Sequence, residues 1–168
     1  MGEVAAAELD WQASVTENLQ PNEWPDDVLE HMTAGVILEL SDLREQVGAP
    51  VWPSPVPRAH VREEDSISRH SLKNGARLSD ATDFFLRWAD APAYLRHAMR
   101  SERIGGIGIY DSMKFRGGPG TYCMMHIDTR PERVMWVGNG REPVEYVLEH
   151  SQPKRFYQLI SAMLRSNA

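Results

Sequence analysis

The apolar residues of this chain change period along its length, and that change decides the fold class. Leu29, Met32, Val36, Leu40, Leu43 and Val47 recur at spacings of three and four, one apolar face of an amphipathic helix. Pro25 sits where a first helical turn tolerates it, and Gly48 and Pro50 stop the pattern. Phe156, Leu159, Ile160, Met163 and Leu164 repeat it over residues 153–164. Between these helices the runs are short. Residues 51–57 are rich in Val and Pro and read as an edge strand, because proline is excluded from central strands. Phe84-Phe85-Leu86 reads as a strand leading into a helix that restarts at Ala91-Pro92 and carries Tyr94, Leu95, Ala98 and Met99. Residues 104–110 alternate glycine with isoleucine, as a close-packed strand does, and residues 122–128 and 133–137 read as a hairpin around Thr129-Arg130-Pro131. Residues 58–77 and 114–120 read as loops, and residues 1–25 as a polar N-terminal arm ahead of one domain over 26–168. This order predicts an α+β domain with a small, mostly antiparallel sheet flanked by helices.

Composition narrows the function. A chain of 168 residues can bury a continuous core without staples. The single cysteine, Cys123, rules out an internal disulfide and reads as a small buried hydrophobe, which fits the bacterial cytoplasm or export after folding. The formal net charge of −6 argues against nucleic acid as a partner. No stretch reaches the ~20 apolar residues of a membrane span. The opening Met1-Gly2-Glu3-Val4 lacks a basic region and a long apolar run, so no secretory signal is expected.

Six histidines are the main candidates for chemistry. His31 and His97 fall in predicted helices and His150 just before the last one, and all three read as ordinary surface or partly buried imidazoles. His60 lies in a polar loop without an evident partner. His70, in Ser68-Arg69-His70, and His126, in Met124-Met125-His126-Ile127-Asp128, differ by their company. Two imidazoles and one carboxylate from separate parts of a chain can hold zinc and leave a fourth position for water.

The order of motifs resembles the M15 metallopeptidases, the D-Ala-D-Ala carboxypeptidase and L-Ala-D-Glu endopeptidase group, most closely their short phage and bacterial branch. The resemblance runs over residues 28–140, through Leu43-Arg44 and Gly48-Ala49-Pro50, then Ser54 and Arg58, then Ser68-Arg69-His70. It continues through Gly106-Ile107-Gly108-Ile109-Tyr110 and ends at His126-Ile127-Asp128 with Trp136. It implies a Hedgehog/DD-peptidase-like fold and a zinc ion. His70 and His126 resemble the two histidine ligands, and Asp83 of Ala81-Thr82-Asp83 the acidic one. The spacing from His70 is longer than the family's, as if residues were inserted within 71–79, so Asp80 stays a second candidate. Asp83 is preferred because the apolar Phe84-Phe85-Leu86 follows it directly. Arg58 resembles the arginine that faces the metal and holds the substrate carbonyl or carboxylate. The place where several branches carry a general base is Cys123 here. Asp128 therefore stands as the remaining catalytic candidate, either taking a proton from water or orienting the His126 imidazole on the same sheet face. Tyr110 and Trp136 are candidates to line the substrate pocket, or to pack in the core.

The activity so implied is zinc-dependent hydrolysis of a peptide bond in the stem or cross-link of peptidoglycan, in a phage or prophage setting. The chain would stay in the cytoplasm until lysis. A second setting is a tail-tip peptidase carried on the virion among phage structural proteins. A third reading is a non-catalytic zinc-binding module on the same fold.

Overall fold

The computed structural model describes residues 4–14, 19–63, 68–72, 78–111, 121–138 and 145–166. It is an α+β structure with one six-stranded sheet and three helices of two turns or more. The strands are β1 (Trp52–Pro53), β2 (Ala81–Arg87), β3 (Gly106–Tyr110), β4 (Tyr122–Asp128), β5 (Val134–Gly138) and β6 (Tyr146–Leu148). They lie in the order β1-β2-β4-β3-β5-β6. Every neighbouring pair is antiparallel except β3 and β5. The helices are α1 (Trp11–Ser14), α2 (Ala34–Val47), α3 (Ala91–Arg100) and α4 (Pro153–Ser166).

Side chains alternate across the sheet, and the two faces have different jobs. Phe84 and Leu86 of β2, Ile107 and Ile109 of β3, Met125 and Ile127 of β4, Val137 of β5 and Val147 of β6 enter the main core. Val36, Ile37, Leu40 and Leu43 of α2, Tyr94 and Ala98 of α3, and Phe156, Ile160 and Met163 of α4 meet them there. Burying each large side chain of this set contributes about 1.5–3 kcal/mol. The helices thus cover one face. The opposite face carries only a small apolar cluster, Phe85, Tyr110, Met124 and Trp136, and beside it lie the polar residues described below.

Several expectations change on contact with this fold. The first long helix starts at Ala34, not near Pro25: Val28–His31 is a 3-10 turn entered through Asp27 at φ 64°, and Met32 is extended. Backbone pairing holds that segment open, with Thr33 N–H donating to Ser79 O and Ser79 N–H to His31 O, and these bonds outweigh the helical period. The stop is as expected, with Gly48 in the left-handed region at φ 68° and its N–H donating to Arg44 O. Of the edge strand expected over residues 51–57 only Trp52–Pro53 pairs, as β1 at the edge of the sheet, and Pro57–Ala59 is a 3-10 turn. Strands β4 and β5 do not form a hairpin, because β3 lies between them. The connection steps across the end of β3, where Gly105 donates to Asp128 O and accepts from Val134 N–H. The segment expected as an arm also supplies Ala6, Leu19 and Trp24 to the core. Ala6 N–H donates to Met32 O, and Trp11 packs edge-on against Trp24 at 5.6 Å. The Gly-rich connection of residues 114–120 and most of the expected insertion at 71–79 lie outside the described residues.

Candidate metal centre

On the open face, Asp83 of β2 sits directly across from His126 of β4. Such opposed pairs hold their Cβ atoms about 4.5–5.5 Å apart, close enough for the two side chains to meet. His70 arrives from the loop before β2. Its segment is fixed by a short parallel pairing in which Arg62 N–H donates to His70 O at 2.7 Å and Leu72 N–H to Arg62 O at 2.8 Å. The three side chains converge. His126 Nδ1 is 2.8 Å from Asp83 Oδ1, His70 Nε2 is 3.1 Å from His126 Nδ1, and His70 Nε2 is 3.5 Å from Asp83 Oδ1. All three residues are buried.

These separations suit one ion. A tetrahedral ion with bonds of about 2.0–2.2 Å places its ligand atoms roughly 3.3–3.6 Å apart. Movements of a few tenths of an ångström would bring the three atoms to that triangle. The partners behind each ring set the tautomers. His70 Nδ1–H donates to His60 O at 3.3 Å, leaving Nε2 with its lone pair toward the cluster. His126 Nε2–H donates to Asp128 Oδ2 at 3.0 Å, leaving Nδ1 free in the same sense. Both rings therefore have an outer hydrogen-bond partner that orients them, the arrangement usual for metal-ligating histidines. The electrostatics agree. Burial alone would raise the Asp83 carboxyl, but His70 and His126 together hold it well below the usual carboxylate range. Burial alone would lower the His126 imidazole, but its hydrogen bonds with Asp128 and Asp83 pull it upward. The pocket asks for a positive charge between these groups, which a proton or a metal cation can supply.

Asp128 is fully buried behind His126, and Arg130 grips it with Nε–H at 2.7 Å and Nη2–H at 2.5 Å. The ring of His126 stands between Asp128 and the cluster. Asp80 is not among the converging groups, and both of its oxygens accept hydrogen bonds from the Arg69 guanidinium. Cys123, three residues from His126, points to the core face, with Sγ 3.8 Å from Leu86 O and burial pushing its thiol pKa up. It is the buried hydrophobe expected.

The cluster opens on a depression of about 390 Å3, lined also by Arg62, Arg69, Tyr110, Arg130, Trp136 and Tyr146. Arg58 does not line it. It is exposed on a 3-10 turn (Pro57–Ala59) and borders a separate depression with Asp26, Asp27 and His31, which touches the first through Arg62. The arginine that reaches the cluster's depression from this stretch is thus Arg62, four residues on. Tyr110 and Trp136 border the depression and also belong to the small buried cluster of this face, joined by a 2.8 Å hydrogen bond from the indole N–H to the phenol oxygen. The glycines of the motif make room for this arrangement. A Cβ at Gly106 would lie within 2.6 Å of Oδ1, Oδ2 and Cγ of Asp128, and one at Gly108 2.5 Å from the Trp136 indole. Sequence reasoning missed His60. It is fully buried, donates from Nε2 to Ser54 O at 2.7 Å and accepts from Thr82 at Nδ1, and its carbonyl anchors His70. Nothing local in a polar loop signals such a role. His31 and His150 are exposed and His97 bonds Gln46, as the bland readings have it.

Compared with protein families, curated proteins and solved structures, the chain matches no family model, no curated sequence and no solved structure.

Proposed function

We propose that this chain is a zinc-dependent peptidase of the M15 kind, on a Hedgehog/DD-peptidase-like fold, that hydrolyses a peptide bond in the stem or cross-link of bacterial peptidoglycan during phage or prophage lysis. The observation that carries the reading is the convergence of His70 Nε2, Asp83 Oδ1 and His126 Nδ1 at the floor of one depression. His70, Asp83 and His126 would hold the ion, which when bound supplies a Lewis acid for the carbonyl and acidifies a water. Asp128 keeps His126 in the ligating tautomer, and Arg62 offers a guanidinium to a substrate carbonyl or carboxylate. The motif order along the sequence adds the choice of peptidoglycan. The test is metal analysis of the purified protein beside His70→Ala, together with release of amino groups from purified cell walls with and without chelator. One zinc per chain, lost in the variant, and chelator-sensitive release support the proposal. A zinc-free protein ends it.

One observation favours a second reading, a zinc-binding module without catalysis. Among the described residues, Asp83 is the only carboxylate that lines the depression, so none of those described side chains stands ready as general base. Retained zinc with no amino groups released would select that reading.

A further inference from the structure

We propose that the Tyr110 hydroxyl is a catalytic residue, the hydrogen-bond donor that this site presents to the oxygen of the carbonyl under attack, and that Trp136 positions it. The inference rests on the peptidase reading above and adds a residue to it.

Three features of the fold aim the phenol. Tyr110 ends β3 two residues beyond Gly108, which lies across from His126, so its side chain leaves the sheet on the metal-ligand face. It is 8 % exposed, and it lines the same depression as Asp83 and His126. The Trp136 indole is seated over Gly108, where a side chain would collide with it, and its rings stand 4.9 Å from those of His126. From that fixed seat the indole N–H donates to the Tyr110 oxygen at 2.8 Å.

An indole N–H is only a donor, so it occupies an acceptor lone pair of the phenol and leaves the phenol's own proton to be given away. The neighbouring polar group is the hydroxyl of Tyr146, which is half exposed at the rim with its ring edge-on at 6.2 Å. Tyr110 shares a hydrogen bond with that hydroxyl, so its proton points toward the rim, and a carbonyl oxygen filling the depression would take it over from Tyr146. The bond from the indole also strengthens the phenol as a donor, because hydrogen bonds in series polarise one another. As the carbonyl carbon is attacked, the π pair moves onto the carbonyl oxygen, and the Tyr110 O–H hydrogen bond to that oxygen shortens. No proton needs to leave Tyr110.

Tyr110→Phe keeps the ring and removes the donor, and Trp136→Phe removes the positioning N–H together with the fused ring that carries it. Each would be compared with wild type for zinc content, for affinity toward a phosphinate dipeptide, whose tetrahedral anion mimics the attacked carbonyl, and for kcat and KM on a peptidoglycan stem peptide. We expect unchanged zinc in Tyr110→Phe, phosphinate binding weaker by about tenfold or more, and kcat lower by about 10²–10³ with KM little changed. Trp136→Phe should fall between it and wild type. Tyr110→Phe that keeps zinc and binds phosphinate as wild type does overturns the proposal. If wild type binds zinc and phosphinate but cuts no stem peptide, the peptidase reading fails while the phosphinate comparison still decides the donor. A wild type that binds no zinc removes both.

Discussion

Replacing Gly106 by alanine should damage this protein far more than one methyl group suggests. The added Cβ would lie within 2.6 Å of three atoms of the Asp128 carboxyl group, which is itself fully buried. Ordinary contact needs roughly another 1 Å, so either the carboxylate or strand β3 must move. Moving the carboxylate strains its 3.0 Å bond from His126 and its four bonds from Arg130. Overpacking costs about 1–3 kcal/mol, and a weakened charge-assisted hydrogen bond adds about 1–2. Alanine returns about 0.5–1 kcal/mol through lower backbone entropy in the unfolded chain. The net expectation is a loss of about 1–4.5 kcal/mol. Gly35 supplies the control: it is exposed in the first turn of α2, and its Cβ would meet nothing within 4 Å. Gly35→Ala should therefore be neutral or stabilising by up to about 1 kcal/mol. Urea unfolding followed by tryptophan fluorescence, in chelator, reads both. A Gly106→Ala protein within 0.5 kcal/mol of wild type would refute the close approach on which the site's geometry rests.

Further outcomes follow from the same geometry. Asp83→Asn should abolish tight zinc binding, while Asp80→Asn should leave zinc bound and only lose the Arg69 pair, as metal titration of the two variants would show. Asp128→Asn should weaken zinc binding by about 10–100-fold by loosening the hold on His126. His60 is buried neutral with its pKa lowered to about 4, chiefly by burial. The unfolded chain therefore takes up the proton first, and the stability His60 protects is present above pH ~6.5 and lost as pH falls toward 4, by at most about 3 kcal/mol. Denaturant titrations in chelator should show a shallower acid loss for His60→Gln than for wild type between those pH values. Equal slopes would contradict the neutral buried imidazole. Phe156→Ala should cost about 3–5 kcal/mol by undocking α4 from the sheet, measured by the same unfolding.

How much of this was readable in the sequence depends on the range of the interaction. Helices α2, α3 and α4 and strands β2 to β5 were read from local pattern and the edge position of β1 from the prolines of residues 51–57, but the short strand β6 was not foreseen. The side-chain parity of β4 was also readable: Cys123 is an odd step from His126 and Asp128 an even one, which puts them on opposite and equal faces. What was not legible was pairing. Residues 129–133 look like a turn between partners, yet they bridge across β3, and only the glycines at 105, 106 and 108 hint that something must cross that strand closely. The choice of Asp83 over Asp80 rests on register with His126, which spacing from His70 did not fix. Arg58 and Arg62 differ by one helical turn in sequence, but the backbone pairing of Arg62 with the His70 segment turns only the latter toward the cluster's depression. The start of α2 was overruled in the same way, by bonds to Ser79 far along the chain.

Crystals grown with zinc and measured at the zinc absorption edge put the whole account to one question. A single anomalous peak should lie about 2.0–2.2 Å from His70 Nε2, Asp83 Oδ1 and His126 Nδ1, with Asp128 holding the far nitrogen of His126. Absence of a peak at that point, or coordination of His126 through Nε2, would contradict it.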